Sequence, residues 1–291
     1  MPKILIMTDS ACDLELDELQ KAGIKLMSFN ISIDDLSFRE TVDKSKDEVY
    51  ELMDKSTEIP KTSQVTSFEF LEAYKEAYSQ GYTDIIYMSI SATASKTHEN
   101  SIMAINMLFE EIPESKGKIN IYVVDSKGYT AMYGYPLLEA SKKAKKPDSN
   151  AKEIVAYLEE WASKSAAYFV PMTLKYAKKS GRISAAAAFA GELLGIKPII
   201  QMADGGSKIM SKIRGDKNII PKLMECIESE MTPQTPYIML TGKNDTLAKQ
   251  LEKEMIKKFG YKAEYYSKIG AAISANAGND LVGVVCRRKN V

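Results

Sequence analysis

The sequence predicts an α/β fold of two domains: an N-terminal parallel-sheet α/β sandwich and a C-terminal α+β domain. Three observations carry this. Short apolar runs at Lys3–Thr8 (KILIMT), Asp84–Ser89 (DIIYMS) and Asn120–Asp125 (NIYVVD) end in polar residues and alternate with helix-period segments, the pattern of a parallel sheet. Residues Lys142–Asn150 (KKAKKPDSN) hold four lysines, a proline and turn formers, and read as a linker. Beyond them hairpin signals mix with helices. The expected boundaries are 1–148 and 149–291, with segment 60–81 open to packing on the second domain.

Each element has its own warrant. Lys3–Thr8 is a buried strand feeding the polar turn Asp9-Ser10. Glu15–Ala22 is a short helix that Gly23 stops, and Lys25–Ile33 has strand character. Ser45 with Glu48 forms a capping box for a helix to about Lys55. In Ser67–Gln80, Phe70, Leu71, Tyr74, Ala77 and Tyr78 share one stripe, and Gly81 ends the helix. The Asp84–Ser89 strand leads through a Ser/Thr-rich loop to a helix over Thr97–Glu111. After the linker, Asn150 and Glu153 open a helix to about Ser163. A strand at Ala166–Pro171, a short helix over Thr173–Ser180 closed by Gly181, and an Ala-rich helix at Ser184–Leu194 follow. Asp204-Gly205-Gly206 between Ile196–Met202 and Lys208–Arg214 is a strong hairpin signal. Helices at Ile219–Glu230 and Asp245–Phe259, and strands at Tyr237–Thr241, Ala263–Lys268 and Leu281–Arg287, complete the chain.

Composition excludes several function classes. The 291 residues carry 39 Lys+Arg and 39 Asp+Glu, a net charge of zero, which argues against a nucleic-acid binder that works by field alone. The N-terminal apolar run is too short for a secretory signal, and no stretch reaches the roughly 18 apolar residues of a membrane span. Cys12, Cys226 and Cys286 are scattered and His98 is the one histidine, so no zinc constellation is expected. Free thiols fit a reducing, cytoplasmic setting. No metal, cofactor or catalytic residue is expected, and His98 reads as a helix-surface residue.

Four segments, in order, resemble the DegV family of bacterial fatty-acid-binding proteins. Met7-Thr8-Asp9-Ser10 with Asp13-Leu14 is similar to its opening strand and turn, and Lys61-Thr62-Ser63-Gln64 to its T-S-Q loop. Ser91–Thr97 resembles its S-x-x-x-S-G-T loop. Leu174-Lys175-Tyr176, Ser180-Gly181-Arg182-Ile183 and Gly195-Ile196-Lys197-Pro198-Ile199 resemble its G-R-I and I-K-P signatures. The resemblance implies one long-chain fatty acid buried between or within the domains, its carboxylate held by hydroxyls of the T-S-Q and S-x-x-x-S loops. It also implies a carrier that presents the acid to a separate fatty acid kinase. Thr62, Ser63, Ser95, Lys96, Thr97 and Asn276 are the expected carboxylate contacts. Arg182 and Arg214 are planar donors suited to an anion, Arg214 assigned to partner docking on resemblance alone.

Physical chemistry gives these assignments content. Ser95-Lys96-Thr97 stands before a helix, whose free N–H groups favour an anion; the alternative is that Ser95 or Thr97 merely caps it. Burying a methylene yields about 0.8 kcal/mol, so some fourteen yield on the order of 11 kcal/mol gross. Hydrogen bonds to a charged head add about 1.5–3 kcal/mol each. The tail therefore sets affinity and the loops set orientation. Ala185, Ala188, Phe189, Leu193 and Leu194 form an apolar surface suited to the chain; ordinary helix packing is the alternative.

Two positions depart from the family pattern. Lys96 replaces a glycine, at a cost of about 1 kcal/mol if the loop requires positive φ. Asn276 stands where the family carries histidine, and an amide carries no proton near pH 7. Binding is expected to survive this change; phosphoryl transfer through a partner is the step it puts in question. Asp280 would repel an anion if it pointed inward. Two rival functions are an enzyme acting on a phosphorylated or carboxylated metabolite, with Asp9 and Asp13 as a nucleophile pair, and an adaptor binding another protein. The acids are four apart rather than D-x-D, which weakens the first.

Overall fold

The computed structural model describes residues 2–187 and 196–289. Its first part runs β1 (Ile4–Asp9), α1 (Leu16–Ala22), β2 (Ile24–Met27), β3 (Asn30–Ile33), β4 (Leu36–Arg39), α2 (Lys46–Lys55), β5 (Lys61–Ser63), α3 (Ser67–Ser79), β6 (Asp84–Ser89), α4 (Thr97–Glu111), β7 (Asn120–Asp125) and α5 (Ala131–Ala144). The rest runs α6 (Ala151–Lys164), β8 (Ser165–Pro171), α7 (Lys175–Ser180), α8 (Ser184–Ala187), β9 (Ile196–Ala203), β10 (Gly206–Arg214), α9 (Ile219–Glu230), β11 (Ile238–Thr241), α10 (Thr246–Phe259), β12 (Tyr265–Lys268), α11 (Ala271–Ala277) and β13 (Leu281–Arg287). The mixed α/β class is the one the sequence predicts.

The first sheet is parallel, in the order β2-β1-β6-β7. Its strands are apolar on both faces because both faces are covered. Ile6, Ile86, Met88 and Val124 face α5 and α6, against Tyr133, Leu137, Ile154 and Leu158. Leu5, Met7, Ile85 and Tyr87 face α3 and α4, against Phe70, Tyr74, Ala104 and Leu108. A small antiparallel sheet, β4-β3-β5, sits beside it.

The second sheet, β10-β9-β8-β13-β11-β12, is antiparallel except for the β11/β12 pair. One face, with Val170, Met239 and Val284, is covered by Leu223 and Ile227 of α9 and Leu251 and Met255 of α10. The other face presents Ala167, Phe169, Met202, Leu240 and Leu281 toward Met132 of α5 and Trp161 of α6. Part of that second face is the floor of the site.

Several expectations are corrected. Helix α5 is absent from the sequence reading; it contains Gly134 and Pro136, which are unfavourable inside a helix, and its last turn occupies the start of the expected linker. Gly134 serves a close approach, since a Cβ there would lie 2.3 Å from the Cys12 carbonyl oxygen. The Lys25–Ile33 strand divides at Ser28–Phe29, where the Ser28 hydroxyl donates to the Glu40 carbonyl and the Phe29 N–H to Ser10 Oγ. The Ala-rich helix is described only over Ser184–Ala187. His98 is half-buried rather than a surface residue, its Nδ1 2.9 Å from the Ser89 hydroxyl.

Candidate functional site

Loops after the first sheet's strands face the side of the second sheet that carries Ala167 and Phe169. Between them lies a cavity of about 220 Å³. On that measure one water needs about 10–15 Å³, so this is room for a ligand rather than a packing defect. Phe29 follows β2, Ile90, Ala94, Ser95 and Lys96 follow β6, and Tyr129 and Thr130 follow β7. The second sheet contributes Ala167, Phe169, Met202, Leu240 and Leu281. Helix α11 and the residue before its cap supply Ile269, Ala272, Ile273, Asn276 and Ala277.

The apolar wall is a direct consequence of strand alternation. Ala167 and Phe169 point one way from β8, while Tyr168 and Val170 point to the α9/α10 core. The polar lining comes from other elements than this floor: Thr62 and Gln64 around β5, Ser95 and Lys96 before α4, Asn276 on α11 and Arg182 after α7.

Five of the expected contacts therefore line one cavity: Thr62, Ser95, Lys96, Asn276 and Arg182. Ser63 does not. It neighbours Thr62 on β5, so alternation turns it outward into solvent. Thr97 is fully buried and does not reach the cavity. Its hydroxyl lies 2.9 Å from Ser95 Oγ, and its N–H donates to the same oxygen. When Thr97 donates both hydrogens, the Ser95 proton is left for a ligand, and the chain of donors polarises it. Lys96 has φ −72°, an ordinary conformation, so this loop does not demand the family's glycine. Its ammonium pairs with Glu99 at 2.6 Å on the exposed rim. Asn276 gives one amide hydrogen to the Ala272 carbonyl at 2.7 Å, leaving its other hydrogen and its oxygen to the cavity.

Arg214 is exposed at the end of β10, away from the cavity. Ala185 is buried in the apolar cluster behind the wall but is not on the cavity surface. Ala188, Phe189, Leu193 and Leu194 lie outside the described residues. Asp280 is half-buried off the cavity, its carboxyl pushed up by burial against the pull of the Asn244 and Leu281 N–H groups.

The acids Asp9 and Asp13 do not line the cavity. Asp9 is wholly buried. Its Oδ2 accepts from the Tyr87 hydroxyl (2.9 Å) and the Ile90 N–H (2.8 Å), and its Oδ1 from the Tyr133 hydroxyl (2.6 Å) and the Ala11 N–H (3.2 Å). Burial raises its pKa despite these four donors. Such an acid organises the loops around it and presents no free oxygen to a substrate.

Thr130, Gln64, Tyr129 and α11 were not singled out from sequence. Burial raises the Tyr129 phenol, and Thr93, Ser91 and the Arg182 guanidinium pull the other way. Helix α11 had a usable signal: an Ala-rich run bounded by Gly270 and Gly278, the latter at φ +88°. Thr130 had none, for its role depends on contacts distant in sequence. Among the described residues no group of acids, cysteines and histidine is placed to hold a metal ion, and no helix is long and apolar enough to cross a membrane.

The comparisons agree over the whole length. A DegV domain-containing protein of Clostridium acetobutylicum is 30% identical over 291 residues, 98% of this chain and 99% of the relative. Another, of Clostridium perfringens, is 27% identical over 293 residues, 99% of each. The fold matches that of a fatty-acid-binding DegV family protein from Thermus thermophilus with a TM-score of 0.85, at 22% identity, over 98% of this chain and 99% of that one. A stearic-acid-binding protein from Eubacterium ventriosum gives 0.83 at 23% identity over 99% of each chain. A DegV family protein from Eubacterium eligens loaded with heptadecanoic acid gives 0.82 at 22% identity, over 98% of this chain and 100% of that one. A model of the uncharacterised proteins of the DegV family matches residues 3–289, and the chain belongs to that family.

Proposed function

We propose that this protein binds one long-chain fatty acid, with the acyl chain in the cavity and the carboxylate among Thr62, Ser95 and Asn276. The observation that supports the reading is the make-up of one cavity: an apolar floor from the second sheet, with the Thr62 and Ser95 hydroxyls, the Asn276 amide and the cationic Lys96 and Arg182 on other elements that line it. A chain of some fourteen methylenes supplies on the order of 11 kcal/mol gross, and the donors fix which end faces them. Relatives of the same fold that are described as holding stearic or heptadecanoic acid support the choice of ligand. An enzyme using Asp9 and Asp13 fits less well, since neither acid reaches the cavity.

A carrier that presents the acid to a separate kinase is the role the family resemblance implies, and Asn276 bears on how far this chain fulfils it. Ser95 and Lys96 stand near the rim, which favours access to the carboxylate from outside. Asn276 supplies a hydrogen bond but no titratable proton, so retention is the property the site is built for, and phosphorylation of the bound acid is expected to be slow or absent.

Ser95→Ala tests the head-group assignment. Losing one hydrogen bond to a carboxylate is expected to weaken stearate binding about tenfold or more, while the loss of Thr97's partner lowers the thermal midpoint by a few degrees without unfolding the protein. Titration calorimetry on delipidated protein reads this. Affinity equal to that of the unmutated protein would remove Ser95 from the site.

A further inference from the structure

Behind α11, two buried carboxylates from the first part of the chain hold the start of this helix. Asp13 Oδ1 accepts the Gly270 N–H at 2.8 Å, and Glu40 Oε1 accepts the Ala272 N–H at 2.7 Å. Both acids are almost wholly buried, at 1% and 3% exposure. The contact is close: a Cβ on Gly270 would lie 2.6 Å from Glu40 Oε1 and 2.7 Å from Asp13 Oδ1, so only glycine fits. Glu40 is itself fixed by the Ser10 hydroxyl at 2.6 Å. Asp13 is fixed from behind, its carbonyl accepting from the buried Lys46 ammonium at 2.7 Å. The first N–H groups of a helix have no partner inside it, and here they find one across the molecule.

What this pair holds is a wall of the site. Ala272, Ile273, Asn276 and Ala277 all face the cavity from α11. Asp13 touches a second part of the wall as well. Thr130, which lines the cavity with φ +52°, a strained value for a β-branched residue, lies beside the Asp13 carboxyl. Neither Asp13 Oδ2 nor Thr130 Oγ1 completes a well-formed hydrogen bond. A buried carboxyl so placed favours carrying a proton on Oδ2.

We infer that Asp13 and Glu40 are positioning residues for the ligand site: by accepting the first N–H groups of α11 they hold Asn276 and its apolar neighbours against the bound molecule. The inference rests on the fatty-acid reading and names residues that never touch the ligand. Burial pushes Asp13 up to about 8, with Lys46 opposing and Glu40 reinforcing the rise. Cys12 and Tyr50 are the other titratable groups that feel its charge. Asp13 is therefore neutral at pH 7 and gains a charge behind the wall above about pH 8, which disfavours an anionic ligand in front of it.

The test measures stearate dissociation constants for the full chain and for Asp13→Ala, Glu40→Ala, Asp13→Asn and Glu40→Gln, from pH 6 to pH 9. Amide hydrogen exchange at Gly270 and Ala272 is followed without ligand. Each alanine variant should bind about tenfold or more weakly and lose protection at its paired amide. Each amide variant should return to within about threefold at pH 7, since its oxygen still accepts. Affinity of the unmutated protein should fall above about pH 8, and that of Asp13→Asn should not. Folded alanine variants that bind normally overturn the inference, as do amide variants as weak as the alanines. Should the alanines fail to fold, amide variants that bind stearate about tenfold or more weakly than the unmutated protein at pH 7 overturn it. If the unmutated protein binds no stearate while its α11 amides lose protection in the alanine variants, the fatty-acid reading fails and the contact with the helix stands.

Discussion

Ala167→Phe is expected to abolish retention of long acyl chains while leaving the protein folded. Ala167 is 2% exposed on β8 and its methyl forms part of the cavity wall, across from Met202 on β9. A phenyl ring there has space to enter, because the cavity rather than a packed neighbour lies in front of it. The strain of overpacking, typically about 1–3 kcal/mol in a filled core, is largely avoided. The acyl chain loses the space instead. Excluding four or five methylenes forfeits about 3–4 kcal/mol, or two to three decades in affinity. A much shorter acid should lose far less. Titration of stearate and of a medium-chain acid, with thermal unfolding as control, separates the cases. Equal losses for both acids would mean the substitution disturbs the head-group site, and no loss would mean the chain does not run past β8.

Asp9→Ala carries the largest expected effect on stability. The carboxylate gathers four donors from three places: Ala11 beside it, Tyr87 and Ile90 at the end of β6, and Tyr133 in α5. All are buried. Removing the acceptor leaves four donors without a partner and without access to water. At about 1–3 kcal/mol for each unsatisfied group, the loss is about 4 kcal/mol or more. That is a large share of the roughly 5–15 kcal/mol typical of a folded domain, and corresponds to a midpoint lower by roughly 10 °C. Asp9→Asn should fall between, since an amide keeps one acceptor oxygen and sets its own hydrogens against the other donors. Thermal and urea unfolding read both. A change of under about 2 °C for Asp9→Ala would show that the donors find other partners.

Much of this was legible in the sequence, for identifiable reasons. The strands of the first sheet are uninterrupted apolar runs because both faces are covered, and Asp204-Gly205-Gly206 can hardly be anything but a tight turn. Thr62 was accessible only because its loop resembles the family's T-S-Q segment, and Ser95 also because it stands just before a helix. The missed features depend on tertiary contact. Helix α5 contains Gly134 and Pro136, which local propensity treats as breaks, yet Gly134 is required where the helix crosses the Cys12 carbonyl. Asp9 and Asp13 read as candidate nucleophiles because exposure cannot be seen in a sequence. Burial changes their meaning: one ties three elements together and the other holds α11. Thr97 and Ser63 sit beside Ser95 and Thr62, which line the cavity, and differ from them in which way the side chain points.

The cavity between the two sheets, with its apolar floor and its Thr62, Ser95 and Asn276 donors, is proposed to hold a single acyl chain by its carboxyl end. Native mass spectrometry of the intact protein, delipidated and then offered stearic acid, tests it most directly. The account predicts a mass increment of one acid per chain, lost on Ala167→Phe. A folded protein that takes up no stearic acid, or an Ala167→Phe variant that takes it up as well as the unmutated chain, would contradict it.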